Sequence, residues 1–196
     1  MLSGETANGP YFENAVKIMA KTCVEAEGSR NYNALYQSVQ SSSLDAYGNL
    51  AAGESLASSA VKTAIDIEAK LIVILSESGT TARYVSKFRP PSHVICLTPN
   101  ATVARQSNGV VQGCRAFIVD SLEDSAALSK TVSAQAIKAG IAEEGDLMVV
   151  IAGKTYGQGA NDQVRVETIT KGDDEMVDDG IPMGHLKRGF QLSRYD

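Results

Sequence analysis

The segment from Lys70 to Pro90 constrains the fold of this chain more than any other. It opens with a continuous apolar run, Leu71 to Leu75, passes through the polar residues Ser76 to Thr81, and then shows a helical spacing of apolar residues. A short apolar run that is bounded by turn residues and followed by a helical pattern is typical of a buried strand, a tight turn and a helix. The segment therefore predicts a βα unit.

Further strand patterns follow along the chain and alternate with helical ones. Because such strands pair in parallel through right-handed crossovers, we expect a sheet with helices on both faces. The last strand follows the fourth after a connection too short for a helix, so it should pair antiparallel at the sheet edge. The predicted fold class is α/β, with three layers and a five-stranded mixed, mostly parallel sheet. The strands predicted after the first are Val94 to Leu97, Arg115 to Val119, Leu147 to Ile151 and Gln163 to Thr168.

The chain before the sheet is predicted to be mainly helical. Residues 1–9 are polar and predict a loop, after which apolar residues at helical spacing predict an amphipathic helix from Pro10 to Glu27. The serine cluster from Ser41 to Ser43 predicts a turn and a cap. A helix rich in small residues follows from Glu54 to Ile67, and such a face packs closely either inside a domain or between subunits.

Composition excludes several classes of protein. The 196 residues, 43% of them hydrophobic, suffice for about one domain with a sizeable core. A net charge of −5 argues against nucleic-acid and anionic-membrane partners, which attract clusters of Lys and Arg. The sequence has neither a long apolar run nor a signal-like start, so we expect a soluble, unsecreted protein. Three cysteines without metal-type spacing fit a reducing cytoplasm, and the two histidines lie too far apart to suggest a metal site.

Two loops at the carboxyl ends of predicted strands have an unusual composition, and ligands of such sheets bind at that edge. The turn from Ser76 to Thr81 places hydroxyls and a glycine at a helix N-terminus, whose partial positive charge attracts anions. This turn is either a phosphate site or only a cap that turns the chain. The loop from Lys154 to Asn161 carries glycines and a cation, and it either approaches a ligand or is a flexible hairpin loop. No GxGxxG sequence follows a strand, which makes a Rossmann-type dinucleotide domain a weak alternative.

Several ordered motifs resemble pyruvate kinase, a glycolytic phosphotransferase. The first 27 residues, MLSGETANGPYFENAVKIMAKTCVEAE, are similar to the end of its barrel domain, where LSGETA follows the last barrel strand. SESGTTARYVSKFRP, and GDLMVVIAG followed by QVRVETI, resemble parts of its C-terminal allosteric domain. The resemblance implies that residues 1–28 are a remnant of the (β/α)8 barrel and that residues 29–169 are the C-terminal regulatory domain. Residues 170–196 are acidic and then basic, and they predict a tail that is disordered or draped on the surface.

For the whole enzyme, the resemblance implies phosphoryl transfer from phosphoenolpyruvate to ADP with Mg²⁺ and K⁺. The metal-binding carboxylates, the active-site lysine and the nucleotide-binding elements of the family precede the LSGETA stretch. Because phosphoryl transfer depends on such positioned cations, the isolated chain is expected to bind neither metal and to be inactive. By resemblance, Ser3 and Glu5 would lie near the barrel mouth and assist proton transfer to the enolate, or they would simply form a turn.

The resemblance also implies an effector site and part of the subunit contact of a homotetramer. In members that respond to fructose 1,6-bisphosphate, the turn that matches Ser76 to Thr81 holds the 6-phosphate. The partner expected here is a sugar phosphate or another phosphorylated effector. The residues expected to bind its phosphate are Ser76, Ser78, Gly79, Thr80, Thr81, Lys154, Gly157 and Gly159.

This chain departs from the responsive members at two places. Glu77 puts a carboxylate beside the expected phosphate, which is an electrostatic penalty. The helix from Glu123 to Ala139 offers Lys130 and Lys138 but neither the arginine nor the tryptophan that some responsive relatives carry there. Two hypotheses therefore remain: an effector-binding regulatory domain, or an oligomerisation module whose effector turn is unoccupied.

Overall fold

The computed structural model describes residues 2–153 and 161–171 of the chain. The chain divides into two compact units, with the boundary between Tyr32 and Asn33. The first unit is helical, and the second contains the sheet.

The first unit contains two helices, α1 (Gly4–Asn8) and α2 (Phe12–Gly28). The prediction of a loop over residues 1–9 is therefore wrong for α1. The carbonyl oxygen of Ser3 accepts a hydrogen bond from the backbone N–H of Ala7 at 2.9 Å, which closes one helical turn that the polar composition did not reveal. The helix predicted from Pro10 corresponds to α2.

Helix α2 exposes its apolar side chains. The helix has no buried residue, and Phe12, Val16, Ile18 and Val24 are each exposed to 50% or more. Apolar residues at helical spacing normally lie against a core. The apolar stripe of α2 thus has no covering partner among the described residues.

The second unit is a five-stranded sheet flanked by helices. The strand order is β3-β2-β1-β4-β5, in which the first four strands are parallel and β5 pairs antiparallel with β4. The predicted α/β fold and the antiparallel last strand are confirmed. The elements are α3 (Tyr32–Tyr47), α4 (Ala52–Asp66), β1 (Leu71–Leu75), α5 (Thr80–Lys87), β2 (His93–Thr98), α6 (Ala101–Val110), β3 (Cys114–Ile118), α7 (Ser125–Lys138), β4 (Leu147–Gly153) and β5 (Asn161–Thr168).

Strand β1 lies at the centre of the sheet and is buried on both faces. Successive side chains of a strand point to opposite faces, so Ile72 and Ile74 pack with α3, α4, α5 and α6. Leu71, Val73 and Leu75 pack with α7 on the other face. Because both faces of β1 are buried, every position of the strand needs an apolar side chain. Burying each such side chain stabilises the fold by roughly 1.5–3 kcal/mol.

Helices α3 and α4, which precede the sheet, test two of the sequence predictions. Ser41 to Ser43 lie inside α3 and do not form the predicted turn, because a helical serine can bond back to its own helix. The hydroxyl of Ser43 does so, donating to the carbonyl of Val39 at 2.8 Å. The small residues of α4, including Ala57 and Ala60, are fully buried in the core of this unit, which is one of the two predicted locations.

Candidate functional site

The turn after β1 lies at the edge of the sheet where parallel strands end. β1 and β2 pair from Leu71 with His93 to Leu75 with Leu97, so their carboxyl ends are level. The backbone N–H of Ser76 donates to the carbonyl of Leu97 at 3.0 Å. The turn is therefore fixed to the neighbouring strand at the edge where ligands of α/β sheets bind.

Ser76 and Gly79 give the turn its shape. Ser76 is buried, and its hydroxyl oxygen accepts a hydrogen bond from the backbone N–H of Gly79 at 3.0 Å. Gly79 is the N-cap of α5 and has a φ of +73°, which is the left-handed region. A Cβ at this position would lie 2.7 Å from Cγ1 of Val103, so glycine is required both by the backbone and by the space.

The remaining hydroxyls surround the first turn of α5. The hydroxyl of Ser78 donates to that of Thr80 at 3.1 Å, and the backbone N–H of Thr80 points to the Ser78 oxygen at 3.4 Å. Thr80 is exposed, whereas Ser78 and Thr81 are half-buried. Hydroxyl donors beside the positive end of a helix dipole match the requirements of a phosphate group.

The N-terminus of α5 is capped differently from those of α6 and α7. The side-chain oxygen of Asn100 accepts from the backbone N–H of Thr102 at 2.9 Å, and Asp124 caps α7 by accepting from Ala127 at 2.8 Å. All three helices lie within the described residues, and α5 is the one whose N-cap contributes no side-chain hydrogen bond. A helix end without a side-chain cap is more open to an external anion.

Two charged residues flank the turn. Glu77 is half-buried between Ser76 and Ser78, and it forms no ion pair with any described residue. A carboxylate in this turn would repel an anion bound there. Arg83 is exposed one helical turn after Gly79 and brings a positive charge. Glu77 and Arg83 therefore have opposite electrostatic effects on an anion at the turn.

The structure brings five of the predicted phosphate-binding residues together and does not describe the rest. Ser76, Ser78, Gly79, Thr80 and Thr81 form one continuous turn. Lys154, Gly157 and Gly159 lie outside the described residues. Ser3 and Glu5 are exposed in the first unit, where Ser3 precedes α1 and Glu5 is part of its first turn.

The described ranges, 2–153 and 161–171, show neither a clustered metal-ligand set nor a membrane-spanning helix. No group of three or more His, Cys, Asp or Glu residues there is placed to hold a metal ion. No helix among these residues combines the length and apolar character that a membrane span requires.

Sequence reasoning missed a cavity on the α6 side of the turn. Arg83 of α5 and Ser107 of α6 line it together with residues of the turn. The only available signal was that Gly79 and Arg83 are four residues apart on one helix face, as are Val103 and Ser107. Which faces of two helices meet depends on tertiary packing, so this spacing alone did not reveal the cavity.

The comparison with protein families decides the family of this chain. The model of the pyruvate kinase alpha/beta domain matches residues 54–167, which include the sheet from β1 to most of β5. The chain belongs to the pyruvate kinase family. The predicted resemblance to the C-terminal part of pyruvate kinase is thereby confirmed.

Individual pyruvate kinases match over most of this chain. The pyruvate kinase of Staphylococcus epidermidis is 34% identical over 191 residues, which cover 95% of this chain and 31% of the relative. That of Dictyostelium discoideum is 38% identical over 173 residues, covering 86% of this chain and 33% of the relative. The chain therefore spans about a third of the length of these curated relatives.

Solved pyruvate kinase structures share the fold. The structure of a pyruvate kinase from Cryptosporidium parvum matches with a TM-score of 0.75 at 33% identity, covering 86% of this chain and 32% of that chain. A structure of the Cryptosporidium parvum enzyme in complex with ADP matches with a TM-score of 0.75 at 32% identity. The matched part again corresponds to about a third of the whole enzyme.

Proposed function

We propose that this chain is the effector-binding and subunit-contact domain of a pyruvate kinase. The whole enzyme would transfer the phosphoryl group of phosphoenolpyruvate to ADP, giving pyruvate and ATP, with Mg²⁺ and K⁺. The family match over residues 54–167 supports the assignment of the domain. The effector would be a sugar phosphate or another phosphorylated metabolite, and the site would be the turn from Ser76 to Thr81.

The observation that carries the effector role is the open N-terminus of α5 at the carboxyl end of β1. Gly79 enters the helix in the left-handed conformation without a side-chain cap of its own, and its missing Cβ leaves room for Val103 to pack against the turn. An anion at a helix N-terminus is stabilised by about 0.3–1 kcal/mol from the helix dipole alone. Hydrogen bonds from hydroxyl groups to a charged phosphate would add to this.

The hydroxyls of the turn have different roles in this proposal. Ser76 holds the turn closed through Gly79 and keeps its own O–H proton as a donor. Thr80 is exposed and Thr81 is half-buried, so these two hydroxyls would donate directly to the phosphate oxygens. Glu77 weakens the site, which predicts a lower affinity than the same turn would have without this carboxylate.

Titration calorimetry tests the effector role. Fructose 1,6-bisphosphate, fructose 6-phosphate and AMP are titrated into the full chain, into the Thr80→Val/Thr81→Val variant and into a Thr102→Val control on α6. We expect saturable binding of at least one sugar phosphate that the double variant weakens and the control leaves unchanged. Absence of heat and of any thermal shift with all three compounds would remove the effector proposal.

The catalytic role belongs to the whole enzyme in this proposal. Mg²⁺ and K⁺ would be held by the remainder of a complete pyruvate kinase, where the metal-binding carboxylates are expected. Ser3 and Glu5 would assist proton transfer at the barrel mouth. The chain alone, assayed with Mg²⁺, K⁺, phosphoenolpyruvate and ADP, should form no pyruvate above a no-protein control, and measurable turnover would contradict this.

An oligomerisation module is the second candidate, and one observation favours it. β5 is an edge strand with no second neighbour among the described residues, and its Val166 is 50% exposed. An exposed strand edge is a surface on which another copy can pair. Light scattering on the full chain should show a dimer or a tetramer, and a monomer at high concentration would contradict the proposal.

The cytoplasm is the compartment that fits the cysteines. Cys23, Cys96 and Cys114 are all free thiols in the structure. Free cysteines are typical of a reducing compartment. Fractionation of cells that express the chain would test this placement, and recovery in a secreted fraction would contradict it.

A further inference from the structure

A cavity of about 230 Å³ lies between α5 and α6, next to the turn but on its α6 side. From the turn and α5 it is lined by Ser78, Gly79 and Arg83, of which Gly79 and Arg83 are one helical turn apart. From α6 it is lined by Val103, Ser107 and Val110, which share one face of that helix. Pockets for drug-sized ligands measure roughly 300–1,000 Å³, so this cavity suits a smaller molecule.

Ser107 is a buried polar side chain without a partner. It is only 2% exposed, and its hydroxyl makes no hydrogen bond with any described residue. Other helical serines of this chain donate back to a carbonyl four residues earlier, as Ser133 does to Ser129 at 3.1 Å. The hydroxyl of Ser107 lines the cavity instead, where a ligand can satisfy it.

Arg83 gives the cavity a positive charge. No acidic residue lines the cavity, and Arg83 forms no ion pair or hydrogen bond through its guanidinium with a described residue. The N-terminus of α5 adds a partial positive charge at Gly79, on the same wall. An unpaired guanidinium beside a buried hydroxyl is suited to a carboxylate or a phosphate.

The rest of the lining is apolar. Val103 is 8% exposed and forms part of the cavity wall, whereas Val110 is 84% exposed at its mouth. A short hydrocarbon group attached to the anion would cover these side chains and remove apolar surface from water. The cavity therefore combines one anionic subsite with one small apolar subsite.

We propose that this cavity binds a small organic anion. Its carboxylate or phosphate is held by Arg83 and Ser107, and its short hydrocarbon part packs against Val103 and Val110. The cavity adjoins the proposed effector turn and shares Ser78 and Gly79 with it. Arg83 and Ser107, which hold the anion here, are not among the residues proposed to bind the effector's phosphate. The inference therefore goes beyond the proposed effector role.

Methyl NMR of the full chain tests the proposal with four probes: isobutyrate, isobutyl phosphate, inorganic phosphate and the neutral isobutanol. We expect saturable shifts of the Val103 and Val110 methyl signals with isobutyrate, isobutyl phosphate or both, and much weaker effects with isobutanol. Equal shifts with isobutanol would mean that the cavity recognises only apolar groups and would contradict the proposal. The two anions together show whether the site prefers a carboxylate or a phosphate.

Variants separate this cavity from the turn. Arg83→Met should weaken anion binding by about tenfold or more, since a charge-assisted hydrogen bond is lost. Ser107→Ala should weaken it less, and the control Arg105→Met, on the exposed side of α6, should leave it unchanged. Unchanged binding in Arg83→Met would overturn the proposal.

The Thr80→Val/Thr81→Val variant makes the two sites distinguishable. It should weaken sugar-phosphate binding at the turn while the methyl shifts caused by isobutyrate persist. If both signals disappear together, the two ligands share one site and the separate cavity site is wrong. If the sugar-phosphate signal is missing from the start but the isobutyrate shifts saturate, the effector proposal fails and the cavity proposal stands.

Discussion

The helices α5 and α6 each follow a central parallel strand, yet they begin in opposite ways. Asn100 satisfies backbone N–H groups at the start of α6 with its own side chain. At the start of α5 the N-cap is Gly79, which has no side chain to do so. The same strand-turn-helix unit can therefore be capped by the N-cap side chain, or only in part by residues of the preceding turn, as Ser76 and Ser78 do for α5. The difference lies in one residue at the N-cap.

The largest effect is expected from adding a side chain at Gly79. Gly79→Ala forces a left-handed alanine and a Cβ 2.7 Å from Val103, so we expect a loss of about 2–4 kcal/mol in unfolding free energy. Gly53→Ala in α4 is the matched control, because its Cβ would meet only Tyr84 at 3.6 Å and alanine favours a helix. Urea unfolding measures both. A Gly79→Ala variant as stable as wild type would show that the turn tolerates a Cβ at this position.

Alkaline pH should lower the unfolding free energy, because β2 and β3 on either side of α6 each contain a buried thiol. Burial raises the pKa of the Cys114 thiol to about 12 and raises that of Cys96 in β2 still further. Because both pKa values are higher in the folded state, the unfolded chain loses these protons first, and stability falls as pH rises above about 8.5.

Between pH 7.5 and 9.5 we expect a loss of about 1 kcal/mol per buried thiol, measured by urea unfolding. β1, which precedes α5, contains no titratable residue, so this strand should contribute nothing to the loss of stability with pH. In a Cys96→Ala variant the slope with pH should decrease. An unchanged slope would show that this thiol does not titrate on unfolding.

Removing the cap of α6 should have a smaller effect. Asn100→Ala loses two backbone hydrogen bonds and should cost about 1 kcal/mol of unfolding free energy. Ser78→Ala at the start of α5 should cost less, because the only backbone contact of that hydroxyl, with Thr80, is long at 3.4 Å. Equal losses of unfolding free energy in the two variants would mean that Ser78 caps α5 as effectively as Asn100 caps α6.

The smallest effect is expected from reversing the charge of the turn. Glu77→Lys replaces a repulsive carboxylate with a cation, so the affinity for fructose 6-phosphate should rise by about three- to tenfold. Ala101→Lys places the same cation at the start of α6 and should produce no such gain. If Glu77→Lys does not raise the affinity in calorimetry, the turn acts only as a cap.

The sheet could be predicted from the sequence because its signals are local. A continuous apolar run such as Leu71 to Leu75 is needed wherever a strand is buried on both faces. Asn100 indicates the start of a helix because asparagine is a preferred N-cap residue. Local rules failed at Ser41 to Ser43, where tertiary packing of α3 overrode the turn preference of serine. The cavity beside Ser107 could not be predicted, because it exists only where the faces of two helices meet.

The most direct test of the open α5 terminus is amide NMR of the full chain during addition of fructose 6-phosphate. The phosphate should shift the backbone N–H signal of Thr80, whose contact with the Ser78 oxygen is long at 3.4 Å, in a saturable manner. The signals of Thr102 and Val103, which Asn100 already satisfies, should remain in place. Equal shifts at both helices, or none at α5, would contradict the account.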